Sequence, residues 1–171
     1  MRRVIAIAVL CAVAACGAQR KAERAPNLAD SLSPGCYTVD LFDPYRLEYP
    51  SADVPAGYRE FLGVWQNGAW GGQWCHDLYI TKVHADGRVE LLDVYGPSPK
   101  HGHEASVFKR TGQIEGGVLT FLSHRRAPVS YRIVGDFLVG NRSDHVGKSE
   151  ITMSRTDRVA QVPVPPRKPI S

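Results

Sequence analysis

Apolar and polar residues alternate along several short stretches between about residues 62 and 155. The clearest case is 129–133, where Val129, Tyr131 and Ile133 alternate with Ser130 and Arg132. Successive strand side chains point to opposite faces, so this pattern predicts a half-buried strand. Similar stretches, many rich in β-branched or aromatic residues, predict about eight strands in all: 62–66, 74–83, 88–95, 105–114, 118–122, 129–133, 137–139 and 150–154.

Turn residues separate these stretches at intervals of roughly ten residues. Asp86-Gly87 and Gly116-Gly117 supply the positive φ angles that tight hairpin turns need. Only 57–62 suggests a short helical turn, and no amphipathic helix of useful length is evident. The pattern predicts an all-β fold, an antiparallel meander closed as a barrel or packed as a sandwich. We favour the up-and-down barrel of about eight strands, because closure removes exposed sheet edges.

The N-terminus has the composition of an export signal. Arg2 and Arg3 precede an apolar run over 4–15, whose about 12 residues are too few for a membrane span of roughly 20. Val13-Ala14-Ala15-Cys16 resembles the lipobox of bacterial lipoproteins, which implies cleavage before Cys16 and a diacylglycerol on its sulfur. The alternative is an ordinary secretory signal cut near Ala18. We favour the lipobox, because Cys16 ends an apolar, small-residue run just before a charged segment.

This resemblance places the protein in the cell envelope, anchored to a bacterial membrane through acylated Cys16. Each buried CH₂ contributes about 0.8 kcal/mol, and two or more acyl chains give stable anchoring. Gly17 rather than Asp follows the cysteine. By resemblance to enterobacterial sorting, this favours the outer membrane, facing the periplasm.

Composition divides the chain into five parts. We expect a signal peptide over 1–15, a flexible tether over 16–35, a packed but irregular arm over 36–60, the barrel over 61–156 and a disordered proline-rich tail over 157–171. Removing the signal leaves enough residues for one domain.

Charge argues against a nucleic-acid partner. The formal net charge is +4, and it falls to about +2 when Arg2 and Arg3 leave with the signal. The remaining basic residues are scattered, whereas nucleic-acid binding favours a dense basic stripe.

The four cysteines reduce to one expected pair. Cys11 leaves with the signal and Cys16 is expected to carry lipid, so Cys36 and Cys75 remain. In an exported protein two remaining cysteines most simply form a disulfide, which would fasten the arm to the barrel. Two free thiols, or a shared metal site, are the less favoured alternatives.

All three tryptophans fall in one glycine-rich segment, 63–74. Gly63-x-Trp65 on the first strand, followed by up-and-down strands, resembles the calycins, the lipocalin-like and avidin-like barrels. That resemblance covers about 63–155 and implies that Trp65 plugs the closed end of the barrel. The glycine–tryptophan segment is also similar to a group of uncharacterised bacterial exported β-domains, which implies no activity. We expect Trp70 to pack under the arm, or to stand exposed as a platform for a ligand.

Few residues suggest particular chemistry. The candidate ligand-binding residues are Trp70, Trp74 and His76, and His101-x-His103 is a weak metal candidate because its loop does not fix the geometry. No catalytic motif for nucleophilic or metalloprotease chemistry is present. We therefore expect neither catalysis nor a bound cofactor.

Three functions remain open from the sequence. The favoured one is a non-enzymatic envelope lipoprotein that binds a small ligand in, or at the mouth of, its barrel. The alternative is a structural or protein-interaction lipoprotein with a filled core and an envelope protein as partner. An enzyme with an unrecognised site is the third. An eight-stranded barrel can either be filled by side chains or hold one small ligand.

Overall fold

Eight antiparallel strands close into a barrel in a computed structural model, which describes residues 27–36, 45–144 and 147–156. Each strand pairs with its neighbours in sequence, and β1 closes the barrel by pairing with β8. The predicted fold, an up-and-down calycin-like barrel, is confirmed. The strands are β1 Gly63–Trp70, β2 Trp74–Val83, β3 Arg88–Tyr95, β4 Ser106–Glu115, β5 Val118–Leu122, β6 Pro128–Val134, β7 Phe137–Asp144 and β8 Gly147–Thr156.

Helical structure among the described residues is limited to three short turns. One α-helical turn, α1 (Ala56–Arg59), leads into the barrel where the sequence predicted it, and 3₁₀ turns occupy Leu28–Ser31 and Pro99–His101. None of the described helices is both long and apolar enough to cross a bilayer. The predicted signal peptide, Cys16 and the proline-rich tail lie outside the described residues.

A bulge in β1 makes this strand longer than the sequence predicted. Trp65 pairs with Leu78 and Gly68 pairs with His76, so two residues of β1, 66 and 67, oppose one residue of β2. On a regular strand, residues 65 and 70 would face opposite sides. The bulge reverses the alternation between them, so both tryptophans point into the barrel, and each is only 1% exposed. The expectation that Trp70 packs under the arm, or stands exposed, is therefore wrong.

The closed end of the barrel is built around Trp65. Its indole N–H donates to the Phe61 carbonyl over 3.0 Å, and the Arg155 guanidinium carbon lies 4.3 Å from the centre of its ring. Arg155 also donates to the carbonyls of Leu62 and Glu60. The turn entering β1 and the end of β8 thus close this end around one tryptophan, as the calycin resemblance implied.

Apolar side chains fill the barrel from this end upward. The buried residues form one continuous cluster with contributions from all eight strands, including Trp70, Leu78, Leu91, Ile114, Leu119, Tyr131, Leu138, Ile151 and Met153. Glycines on neighbouring strands make room for some of these side chains, including Tyr131, Ile151 and Met153. A Cβ on Gly140 would lie 2.5 Å from Cε1 of Tyr131, so the missing side chain makes room for that ring.

The N-terminal segments lie against the outside of the barrel. The predicted disulfide between Cys36 and Cys75 is confirmed, and it ties the first residue of the arm to β2. Ser33 donates its N–H to the carbonyl of Asn67 in the bulge over 2.7 Å, which holds residues 27–36, most of them within the predicted tether, beside β1. Further along, the Tyr45 ring packs edge-on against Tyr79, 4.7 Å between centres, on the outer face of β2.

Candidate functional site

The barrel end opposite Trp65, which we call the mouth, contains a cavity of about 150 Å³. The start of β2, the loop between β3 and β4, the turn between β5 and β6 and the end of β7 line it. Its lining combines aromatic rings with charged groups: Trp74, Tyr95, Gly96, His103, Glu104, Ser106, His124, Arg125 and Arg142. The mouth therefore offers a small, mixed aromatic and polar recess above an otherwise filled barrel.

Stacked rings form the walls of the mouth. The half-buried Trp74 stacks on His101 with 4.4 Å between ring centres, and His103 lies edge-on at 5.4 Å. On the other side, the His124 ring lies parallel to Phe108 at 5.1 Å, and Tyr95 meets it edge-on at 4.9 Å. Because each ring is held by another ring, the flat surfaces of the recess are positioned before any ligand arrives.

Arg142 supplies a fixed positive charge at the bottom of the recess. Its Nε donates to Ser149 Oγ over 2.8 Å, and its guanidinium carbon lies 4.7 Å from the centre of the Trp70 ring. Arg125 adds a second, exposed guanidinium. Within the described part of the chain, neither arginine forms an ion pair with a carboxylate.

A buried polar layer separates this recess from the apolar core. His76 Nε2 lies 3.1 Å from the Tyr131 hydroxyl and 3.5 Å from Asp93 Oδ1, and Arg110 Nε lies 3.9 Å from Asp93 Oδ2. The two distances to Asp93 are at or beyond the limit for a hydrogen bond. Among the described residues, neither the Asp93 oxygens nor His76 Nδ1 makes a hydrogen bond of normal geometry. The Tyr95 hydroxyl nevertheless lies close enough to Asp93, and the Val94 main chain close enough to His76, to influence their pKa values.

Burial favours the neutral forms of His76 and Asp93 in this layer. It lowers the pKa of His76 to about 3, with the charge of Arg142 acting in the same direction. It raises the pKa of Asp93 to about 7, although Arg110 and the neighbouring Tyr95 hydroxyl partly oppose the shift. Below about pH 7, the layer under the mouth therefore carries little negative charge to offset Arg142.

A second buried carboxylate, Asp77, lies on the outer face of β2. Gln66 Nε2 donates to its Oδ2 over 3.0 Å. Burial raises the pKa of Asp77 to about 6, an effect that the Gln66 hydrogen bond reduces. It has no access to the mouth, because residues 76 and 77 point to opposite faces of the strand.

The residues singled out in the sequence fall at different depths. Trp74 lines the recess, whereas Trp70 and His76 are buried beneath it. His101 and His103 lie at the rim, where His101 Nδ1 and Ser98 Oγ form a hydrogen bond of 3.0 Å. No group of three or more His, Cys, Asp or Glu side chains in the described segments is arranged to hold a metal ion.

Sequence reasoning missed the two groups that set the charge of the mouth. Asp93 shares the inward face of β3 with Val89 and Leu91. An acidic residue on an otherwise apolar strand face could have identified it as a buried carboxyl group. Arg142 lies beyond the predicted end of its strand at residue 139, because β7 continues to 144 through polar residues. Main-chain pairing with β8 holds this extension in place. Such pairing does not require apolar side chains, so the sequence shows no alternation there that would predict a strand.

Comparisons with known proteins add little to this geometry. No protein-family model matches the chain, and no curated protein matches it. A crystal structure of a mutant of the fluorescent protein UnaG is similar over 57% of this chain and 96% of that one, with 15% identity and a TM-score of 0.37. So distant a likeness carries nothing about ligand or activity. The strand order and the recess define the chain as a small calycin-like β-barrel with a ligand-sized mouth.

Proposed function

We propose that this protein is a lipid-anchored, non-enzymatic envelope protein that binds a small ligand at the mouth of its barrel. The observation that carries the proposal is the cavity of about 150 Å³ above a filled interior. A cavity of roughly that size holds a benzene molecule in another protein. The ligand is therefore small and sits at the mouth rather than inside the barrel.

The buried polar layer supports binding rather than catalysis. His76 and Asp93 have shifted pKa values of the kind found in catalytic sites. Yet their exposures are 1% and 0%, so a substrate in the recess could not touch them without rearrangement of the rings above. General acid–base catalysis requires hydrogen-bonding reach to the reacting group.

Ligand-observed NMR with a library of small-ring fragments tests the proposal. We expect several fragments to give saturation-transfer signals with the wild-type protein and to lose them with Trp74→Ala. Lys109→Ala, on the outer face of β4, is the matched control and should keep the signals. Fragments that bind equally to all three proteins, or to none, would refute a site at the mouth.

The alternative is a structural or protein-interaction lipoprotein, and the filled interior favours it. On this reading the recess is incidental, and the surface formed by the arm contacts an envelope protein. Crosslinking in cells separates the two functions. A single stable neighbour that is captured equally well by wild type and Trp74→Ala would support the alternative, whereas fragment binding at the mouth would not depend on any neighbour.

The anchor has its own test. Expressed in a bacterium with a lipoprotein pathway, the full chain should incorporate a labelled palmitate analogue and sediment with membranes. Cys16→Ala should abolish both, while Cys11→Ala should leave them unchanged. Labelling that survives Cys16→Ala would overturn the anchor.

A further inference from the structure

Building on the proposed binding function, we propose that the mouth recognises a small planar carboxylate. Its carboxylate would bind the Arg142 guanidinium, and its ring would pack against Trp74 and Tyr95. Three independent features of the recess support this assignment: a fixed guanidinium, an excess of positive charge and a set of flat walls.

The guanidinium of Arg142 is already oriented for a planar anion. The Ser149 hydroxyl holds its Nε, and the Trp70 ring supports one of its faces. Within the described segments, neither terminal Nη group has a hydrogen-bond or ion-pair partner, so both can meet a ligand in the recess. A guanidinium presents paired N–H groups whose spacing matches a carboxylate, and one that is held in advance loses little entropy on binding.

Positive charge exceeds negative charge around the recess. Arg142 and Arg125 line it and Arg110 lies just below, whereas the acids among the described side chains are Glu104 at the exposed rim and Asp93 in the buried layer. The pKa of His124 is lowered, first by burial and then by the charges of Arg125, Arg110 and Arg142, as a positive surrounding requires. An anion is the ligand that this surrounding favours.

The walls favour a ring over a flexible chain. Trp74 and Tyr95 present rings that their neighbours His101 and His124 hold in place. Contacts between aromatic rings add attraction beyond that expected from the area they bury. The small volume admits about one six-membered ring, so a long acyl chain would find no space below it.

Three probes of nearly equal shape test the proposal: benzoate, benzamide and benzylamine, titrated by isothermal calorimetry at about pH 6. We expect benzoate to bind at least about tenfold more tightly than benzamide, because hydrogen bonds between two charged groups are stronger than those to a neutral amide. Benzylamine should bind most weakly. In Arg142→Gln the preference for benzoate should fall below about threefold, while Lys109→Gln should retain it.

The possible outcomes distinguish the carboxylate assignment from the more general proposal that the mouth binds a small ligand. If benzamide binds as tightly as benzoate and Trp74→Ala abolishes both, the mouth binds ligands but the carboxylate assignment is wrong. If none of the probes binds and the fragment library is also silent, both are wrong. If Arg142→Gln binds benzoate as tightly as the wild type does, the carboxylate assignment is wrong. Circular dichroism and thermal unfolding check that each variant is folded.

Discussion

The guanidinium carbon of Arg142 lies 4.7 Å from the centre of the Trp70 ring, so the cation at the mouth rests on a tryptophan of the apolar core. Trp70 in turn packs against Tyr131 with 6.0 Å between ring centres. The Arg142 guanidinium is thereby in contact, through the rings of Trp70 and Tyr131, with the middle of the barrel. A site built in this way is rigid, and it depends on the geometry of the arginine as well as on its charge.

Replacing Arg142 by lysine separates geometry from charge. Arg142→Lys keeps the positive charge but loses the paired N–H groups and the flat face that stacks on Trp70. We expect benzoate affinity to fall by about tenfold, most of the effect of Arg142→Gln, as measured by calorimetry. Full retention of affinity in Arg142→Lys would mean that only charge matters at this position.

The buried pair Asp93 and His76 predicts opposite pH dependences in two variants. Asp93 has a folded pKa of about 7 against its ordinary value of 3.8, so between these values the folded protein holds a proton that the unfolded chain has lost. Its contribution to the free energy of unfolding is complete below about pH 4. The contribution then falls by about 1.4 kcal/mol per pH unit as the pH rises to about 7.

His76 acts in the opposite sense. Its folded pKa is about 3 against an ordinary value of 6.5, so between these values the unfolded chain holds the extra proton. Its contribution therefore rises with pH at a similar slope. In the wild type the two slopes largely cancel between about pH 4 and 6.5.

Urea unfolding across this range should expose the two slopes separately. Relative to wild type, Asp93→Asn should grow more stable as the pH rises, and His76→Gln should grow less stable. Asp77 titrates in the same range but is unchanged in both variants, so its effect disappears in the comparison. If the unfolding free energies of all three proteins vary with pH in parallel, Asp93 and His76 are not held in their neutral forms.

Gly140 should be intolerant of a side chain. In Gly140→Ala the new Cβ would lie 2.5 Å from Cε1 of Tyr131, which has no room to move in the filled barrel. Overpacking of this kind costs about 1–3 kcal/mol of unfolding free energy, measurable by denaturant titration. Gly57→Ala is the matched control: its Cβ would meet nothing within 4 Å, so stability should be unchanged or slightly higher. Equal stabilities for the two variants would refute the close packing at Gly140.

The disulfide should contribute strongly to stability. Cys36 and Cys75 are 39 residues apart in sequence, and closing such a loop stabilises a fold by about 4 kcal/mol in the chain-entropy model. Reduction of the wild type and the double variant Cys36→Ser, Cys75→Ser should therefore lower the unfolding free energy by similar amounts. A reductant that also destabilises the double variant would show that the loss has another cause.

The sequence was sufficient to predict most of the barrel. Period-two alternation and Asp-Gly or Gly-Gly turns identified all eight strands, because strand faces and tight turns are local properties. The inward residues Val129 and Tyr131 followed from the same alternation, and both are buried. Elimination among four cysteines predicted the disulfide, because Cys11 was assigned to the expected signal peptide and Cys16 to the expected lipid anchor.

Tertiary structure alone decided the site. A one-residue bulge after Trp65 turned Trp70 inward, and no local pattern announces a bulge that depends on pairing with β2 and on the Asn67 contact to Ser154. Arg142, Asp93 and Trp74 come from three different strands, and only closure of the barrel brings them to one end. Alternation along a chain determines which face a residue takes, whereas the neighbours it meets across that face depend on the register of every strand between them.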